Sequence, residues 1–452
     1  MVNGRFCRVP RTVLVLGGYR HTLVAVRSLA RAGCEVIFGN ESGAASSNRS
    51  GIEQSRYVNR VWVHPPLADS NAFLRSVSEA FPNRTPKDFA IFPIGESELN
   101  AINSQRESLS RNATIVAVLP ETAAICLDKP SAQDLAASQG LLVPRSVLLR
   151  QGRWREDASV VSLFPIVLKR SRSDRLVLGE KAVFCHTADE LVDVLNRLII
   201  SNEGQGQLLA QEKIDGVRHN CRFSAVNGRI HGYFEQIVLS TDRINGTGCG
   251  VEGLVIEPSP LRSQVQRLVR ALNYTGVGLA QFIVPQCGSG VFLELNPRLD
   301  GSCAIAYAAG FDLPLCALQA HAGNGTAVIR KSFPIGLRYH WLGGDVAGLV
   351  HEIRRTSHRR LAVACSWIKG MIGRLFRADM HLTFDLADPL PAVAMHLRIW
   401  KNVIRQARSM FQRLPAQKDA PQLSGLTEHA EQLPMTSAAG AHSNSSNASL
   451  TG

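Results

Sequence analysis

The chain has 452 residues, 45% of them hydrophobic and 19% charged. That excludes both a single small binding module and a chain disordered throughout, and predicts two or three packed units. The formal charge of +13 is compatible with an anionic ligand, nucleic acid or an acidic membrane surface; most of it lies between Arg330 and Arg413, where fifteen basic residues face five acidic ones.

Thr12 to Leu16 is an apolar, β-branched run of the kind a buried parallel strand shows. Gly17-Gly18, a helix over Leu23 to Arg31, Gly33 and a second strand over Glu35 to Phe38 follow. The GxGxxG fingerprint is absent and Asn40, not an acid, follows that strand, so the glycines read as a tight turn and not as a dinucleotide site. Strand patterns recur at Val58 to Val63, Phe89 to Pro93 and Thr114 to Leu119, with helices over Ala72 to Ala80 and Glu96 to Leu109. Residues 11–119 thus predict a small doubly wound α/β domain.

A helix over Pro130 to Ser138 opens at a proline and closes at Gly140. Strands at Ser146 to Leu149, Pro165 to Arg170, Lys181 to Cys185 and Leu208 to Glu212, with a helix over Ala188 to Ile199, predict a second α/β or α+β unit. Arg222 to Val238 alternates like antiparallel strands about Asn227-Gly228, and Leu261 to Leu272 is an amphipathic helix. Basic helices over Asp345 to Arg354 and Val393 to Arg413 are separated by Asp388-Pro389-Leu390-Pro391, and from about Ala416 a polar tail without apolar period reads as disordered.

The ten cysteines include no CxxC and no zinc spacing, which predicts reduced, mostly buried thiols in a cytoplasmic protein. The N-terminus shows no signal-peptide h-region, and the apolar run Leu361 to Phe376 is interrupted by Lys369 and Arg374, so neither a signal peptide nor a membrane span is expected.

The most informative segment is Val277 to Arg298. Two strand-like runs flank a Gly-containing loop, and placing Val284 opposite Val291 sets Gln281 opposite Glu294. Period-two geometry then puts Gln281, Glu294, Asn296 and Arg298 on one face. Oxygen donors of this type suit Mg²⁺, and the neighbouring guanidinium suits charge developing on a phosphoryl or acyl group.

The series Asp128-Lys129-Pro130, Ile166 to Lys169, Gln211 to Gly216, Gln281 and Glu294 to Arg298 resembles the ATP-grasp superfamily of carboxylate ligases, in the branch of the carbamoyl-phosphate synthase large subunit. The resemblance spans roughly residues 11–325. It implies a Rossmann-like domain (1–119), a small lobe (120–205) and a large lobe with the metal site (206–326); charge and composition add a basic helical C-terminal region (327–415) and a disordered tail (416–452). It further implies ATP with Mg²⁺ or Mn²⁺ as cofactors. Lys129 and Lys169 would reach the ATP phosphates, the Gln211 side chain and the backbones of Glu212 and Ile214 would meet adenine, and Arg218 or His219 would lie at the ribose. Gln281, Glu294 and Asn296 would hold the metal, and Arg298 would steady the transferred phosphoryl group. The segment between Lys169 and Lys181 departs from the family's glycine-rich lid, carrying Arg170, Arg172, Arg175 and only Gly179. Arg243 to Gly250 resembles the family's loop over the acceptor substrate.

The implied activity is an ADP-forming ligase that activates a carboxylate as an acyl-phosphate and joins it to an amine. A biotin carboxylase is disfavoured because Leu299-Asp300-Gly301-Ser302 stands where that family has Gln-Val-Glu-His, and one grasp unit cannot run two phosphorylations in tandem. The competing reading is a non-catalytic ATP-binding or regulatory module acting through the basic C-terminal region. The expected partners are small carboxylates and amines and a second copy of the chain as a homodimer, with no nucleic acid, since aromatic residues are not interleaved with the basic ones. Any membrane contact is expected to be weak and confined to the surface.

Overall fold

The computed structural model describes residues 9–43, 50–149, 158–172, 175–201, 206–286, 288–323, 332–356 and 359–412. The polar tail from Ala416, Cys7 and Cys287 lie outside the described residues. The chain divides into a unit ending at Arg405 and one beginning at Gln406, of which only the end of a helix is described.

The first sheet has strands β1 (Thr12–Leu16), β2 (Glu35–Glu41), β3 (Arg60–His64), β4 (Phe89–Pro93) and β5 (Thr114–Ile115), with helices α1 (Thr22–Arg31), α2 (Ser70–Ala80), α3 (Glu96–Ser104) and α4 (Arg106–Leu109). Its order is β3-β2-β1-β4-β5 and every pair is parallel. The central β1 is buried on both faces, which is why it reads as an unbroken apolar run. The helix expected over residues 96–109 breaks at Gln105, whose side-chain amide donates to Ala101 O (3.1 Å). The strand expected over 114–119 pairs for two residues before the chain turns into a helix at Pro120.

Helices α5 (Pro120–Leu127) and α6 (Lys129–Ser138) lead to a second sheet of β6 (Ser146–Leu149), β7 (Ile166–Arg170), β8 (Val183–Cys185) and β9 (Leu208–Glu212), with α7 (Ala188–Ile200) beside it. Its order is β6-β9-β7-β8, all antiparallel. Ile166, Leu168, Leu208 and Ala210 pack with Leu191, Val194, Leu195 and Leu198 of α7 in one apolar cluster. Alternation along the strands sends Val167, Lys169 and Gln211 to the opposite face, where they line a cleft. A boundary at residue 205 would assign β9 to the large lobe; its pairing with β6 and β7 moves the division to after Glu212.

The third sheet is formed by β10 (Val217–Val226), β11 (Arg229–Thr241), β12 (Gly250–Val255), β13 (Gly276–Val284), β14 (Val291–Asn296), β15 (Arg338–His340) and β16 (Met380–His381) in the order β14-β13-β10-β11-β12-β15-β16. Helices α8 (Leu261–Ala271), α9 (Ala304–Ala308), α10 (Leu313–His321), α11 (Leu342–Arg355), α12 (Arg360–Arg377) and α13 (Leu390–Gln412) accompany it. Asn227 and Gly228 both adopt positive φ (48° and 74°), as the two-residue hairpin between β10 and β11 requires. One apolar cluster runs from Leu14 and Phe73 of the first sheet region to Phe223, Phe282 and Phe292 of the third.

The basic C-terminal region is not a separate appendage, because β15 and β16 extend the third sheet. The buried Asp345 of α11 receives two hydrogen bonds from Arg374 of α12 (2.9 and 2.6 Å), and His340 Nε2 lies 2.6 Å from it. Burial alone would push the Asp345 carboxyl up, but His340 and Arg374 hold it below the usual range. Asp388, read from sequence as part of a separator, is buried: it accepts from Arg27 Nε (2.9 Å), Ser55 Oγ (2.7 Å) and the Arg56 amide (3.0 Å). The interrupted apolar run Leu361 to Phe376 folds as α12, and among the described residues no helix is long and apolar enough to cross a membrane.

Candidate functional site

The cleft between the second and third sheets has a volume of about 1110 Å³. The β13–β14 hairpin forms part of its wall. Gln281 pairs with Glu294 and Leu279 with Asn296, as the hydrophobic pattern predicts. The anchoring pair differs: Ile283, not Val284, faces Val291, and an irregularity between Gln281 and Phe282 restores the register at the polar end. Gln281 Nε2 donates to Asn220 Oδ1 of β10 (2.9 Å) and Asn296 Nδ2 donates to Glu294 Oε1 (3.0 Å). With both amide nitrogens engaged, each amide presents its oxygen as the group for a cation.

Lys129 is buried at the start of α6, whose N-cap Asp128 accepts from the Ser131 amide (3.1 Å). Lys169, on β7, donates from Nζ to Gln211 Oε1 on β9 (3.0 Å). Burial opposes ionisation of Glu294, but Lys129, the Asn296 amide, Lys169 and Lys181 outweigh it and hold its pKa below the ordinary carboxylate value. Glu294 is thus an ionised acceptor, and the donor set of one carboxylate and two amide oxygens fits a hard divalent cation that completes its shell with phosphate and water. Among the described residues no group of three His, Cys, Asp or Glu side chains is placed to hold a metal.

Arg298 donates to Glu96 Oε1 from Nε (3.2 Å) and Nη2 (2.5 Å), and from Nη1 to Leu299 O (3.0 Å). Glu96 opens α3 at the end of β4 that faces the cleft; Gly95 is the N-cap, so the carboxylate serves Arg298 and does not cap the helix. The loop behind Arg298 is fixed by a buried pair, with Arg222 reaching Asp300 at 2.6 and 2.8 Å and Ser302 at 2.8 Å. Two lysines, an ionised carboxylate flanked by two amides, and an oriented guanidinium therefore line one cavity.

A search of curated proteins by sequence finds no match. The family model for the carbamoyl-phosphate synthase L chain, ATP binding domain, matches residues 257–328, which contain Gln281, Glu294, Asn296 and Arg298. Among solved structures, the chain is similar to the biotin carboxylase domain of Hydrogenobacter thermophilus 2-oxoglutarate carboxylase, in complex with MgADP, ADP and bicarbonate (15% identity, TM-score 0.57, 73% of each chain). It is also similar to L-amino acid ligase from Bacillus licheniformis (16%, TM-score 0.53, 69% of this chain and 74% of that one). N5-carboxyaminoimidazole synthetase from Staphylococcus aureus gives 12% identity and a TM-score of 0.53 over 74% of this chain and 83% of that one. The chain has the ATP-grasp fold.

Of the residues expected to serve an ATP-grasp site, Lys129, Lys169, Gln211, Glu212, Ile214, Gln281, Glu294, Asn296 and Arg298 all line the cleft. His219 does not. It lies on the face of β10 turned away from the cleft, with Nδ1 2.8 Å from Glu235 Oε1, because strand alternation sends Arg218 and Asn220 inward and the residue between them outward. Arg218 occupies the inward position, donating to Gly248 O (3.1 Å) while its Nε and Nη2 are buried without a partner. The Glu212 carboxylate pairs with Arg145 (2.7 Å) and its amide donates to Arg145 O (2.9 Å), so of its backbone groups it is not the amide that could meet a base edge. Gln211 Nε2 is buried without a partner, which suits a ligand acceptor at that point.

The arginine-rich segment after β7 is only partly a set of cleft cations. Arg175 lines the cavity, but Arg170 is buried and donates to Leu176 O (2.9 Å). Glu180 ties this segment to the 243–250 loop through Arg243 (3.0 Å). Sequence reasoning missed Arg20, after β1, and the face of α12 that carries Val363, Trp367, Gly370 and Arg374, all of which line the cleft. The signal for α12 is a 3.6-residue period across residues 360–377.

Burial pushes the Lys169 ammonium down to about 8, with Lys129 and Arg218 acting in the same direction against the attraction of Glu294. If Lys169 meets the ATP phosphates, its protonated form is the one that would bind them, and ATP affinity is then expected to fall as pH rises through about 8. Lys169→Met is expected to bind ATP about tenfold more weakly below that pH and to lose the pH dependence. Calorimetric titration of both proteins on either side of this pH checks it; equal affinities and parallel profiles contradict the assignment.

Proposed function

We propose that the protein is an ADP-forming, Mg-ATP-dependent ligase that activates a substrate carboxylate as an acyl-phosphate and joins it to an amine. The observation that carries this reading is the convergence of Lys129, Lys169, the Gln281/Glu294/Asn296 face and Arg298 on a single cavity. Gln281, Glu294 and Asn296 would hold Mg²⁺, which would neutralise phosphate charge. Lys129 and Lys169 would bind the phosphates, and Gln211 with the Ile214 backbone would seat the base. The carboxylate attacks the γ-phosphate and ADP leaves. Arg298, aimed by Glu96, stabilises charge on the acyl-phosphate, from which an amine displaces inorganic phosphate to form the amide. Support comes from the fold shared with L-amino acid ligase and from the MgADP and bicarbonate held by the Hydrogenobacter thermophilus domain.

The test is a screen of amino acids and other carboxylates in pairs with amines. Phosphate release is expected to require both partners, and hydroxylamine is expected to trap the acyl-phosphate as a hydroxamate when the amine is omitted. Carboxylate-independent hydrolysis alone, or ATP binding without turnover across the screen, favours the non-catalytic ATP-binding module instead.

A further inference from the structure

α12 has two faces. One lines the cleft; along the other, Leu361, Cys365, Ile368, Ile372 and Phe376 succeed one another at helical spacing and are all exposed. Leu361 and Phe376 are each 82% exposed. α13 repeats the arrangement with Leu390, Val393, Leu397 and Trp400, all exposed and three or four residues apart. Single exposed apolar residues need no explanation, whereas contiguous stripes along two helices mark a surface that meets something apolar. Neither helix contains Asp or Glu; Arg374 of α12 faces the cleft on Asp345, while the exposed Lys369 lies beside the first stripe and the exposed Lys401 beside the second.

We propose that α12 and α13 dock on an anionic lipid surface, apolar stripes sunk among the acyl chains and flanking cations against the headgroups. The charge pattern selects this occupant. A second copy of the chain would set two acid-free helices against each other. The chain beyond Arg413 offers three acidic residues and no apolar period to cover the stripes. Nucleic acid would engage the cations but leave Leu361, Ile368, Phe376 and Trp400 in water. Since no described helix can span a bilayer, the contact lies in the interface. It would hold the cleft wall formed by the inner face of α12 next to the membrane.

Flotation of the full-length chain with phosphatidylcholine vesicles and with vesicles containing phosphatidylglycerol tests this. Binding is expected only to the anionic vesicles and is expected to weaken with added salt. Lys369→Glu combined with Lys401→Glu should reduce partitioning at least about tenfold. Ile368→Ser combined with Phe376→Ser should abolish it, with ATP affinity unchanged in both double variants. Failure of the wild-type chain to float with anionic vesicles, or undiminished flotation of the variants, overturns the proposal. So does a dimer in solution that Phe376→Ser dissociates, which would assign the stripe to a second copy.

Discussion

Glu294→Ala is expected to lower ADP formation at saturating substrates by about three orders of magnitude while leaving the fold intact. Glu294 is the carboxylate of the Gln281/Glu294/Asn296 face, and its ionisation is maintained by Lys129 and Lys169. On the proposed function, alanine would remove the charged metal ligand and leave both ammonium groups facing a neutral wall, so that loss of Mg²⁺ and mutual repulsion of the lysines would act together. The side chain lines the cleft and belongs to no apolar cluster among the described residues, so thermal stability should change little. Asn296→Ala removes one oxygen donor and the hydrogen bond that orients Glu294, and should cost about a hundredfold. Steady-state ADP release and melting curves of the purified variants check both; Glu294→Ala retaining wild-type turnover would remove the metal from the site.

Arg298→Ala separates binding from chemistry. The guanidinium contacts Glu96 and Leu299 O and is held at the end of β14, beyond the metal face. On the proposed function it is the cation that would meet the transferred group, while Lys129 and Lys169 would serve the nucleotide. Hydroxamate trapping should therefore fall at least about a hundredfold with ATP affinity nearly unchanged. Trapping at the wild-type rate would show that Arg298 has only an architectural role with Glu96. A parallel loss of ATP affinity would place it in the nucleotide subsite instead.

The parts of this fold that sequence reveals are those where one face of an element is decided by a simple period. β1 is buried on both sides and reads as such; the Asn227-Gly228 turn follows from the need for positive φ; the Gln281/Glu294 pairing follows from alternation. What escaped depends on where chains cross. β9 looks the same whether it pairs with β6 and β7 or with β10, and only its partners decide the lobe. Arg218 and His219 both match a loosely defined ribose position, and the strand's phase, fixed by its pairing with β13, chooses between them. β15 and β16 are three and two residues long, too short for any period, yet they carry the C-terminal region onto the third sheet. α12 contributes to the cleft through residues whose types, Val, Trp, Gly and Arg, bear no chemical signature of a site.

Arg27 and Asp388 are 361 positions apart in sequence and form a buried pair. The first sheet emerges from the ribosome early, with its hydrophobic strands complete by Ile115. Its α1 guanidinium nevertheless waits for almost the whole chain to be synthesised before it meets its carboxylate. An uncompensated buried cation is costly, so the nascent first domain has reason to stay loosely packed around α1 until the segment at Asp388 arrives. That late closure makes completion of the N-terminal domain a report on completion of the C-terminal one. A chain stopped ahead of Asp388 would lack a partner at its opposite end, and cellular quality control could read the defect there.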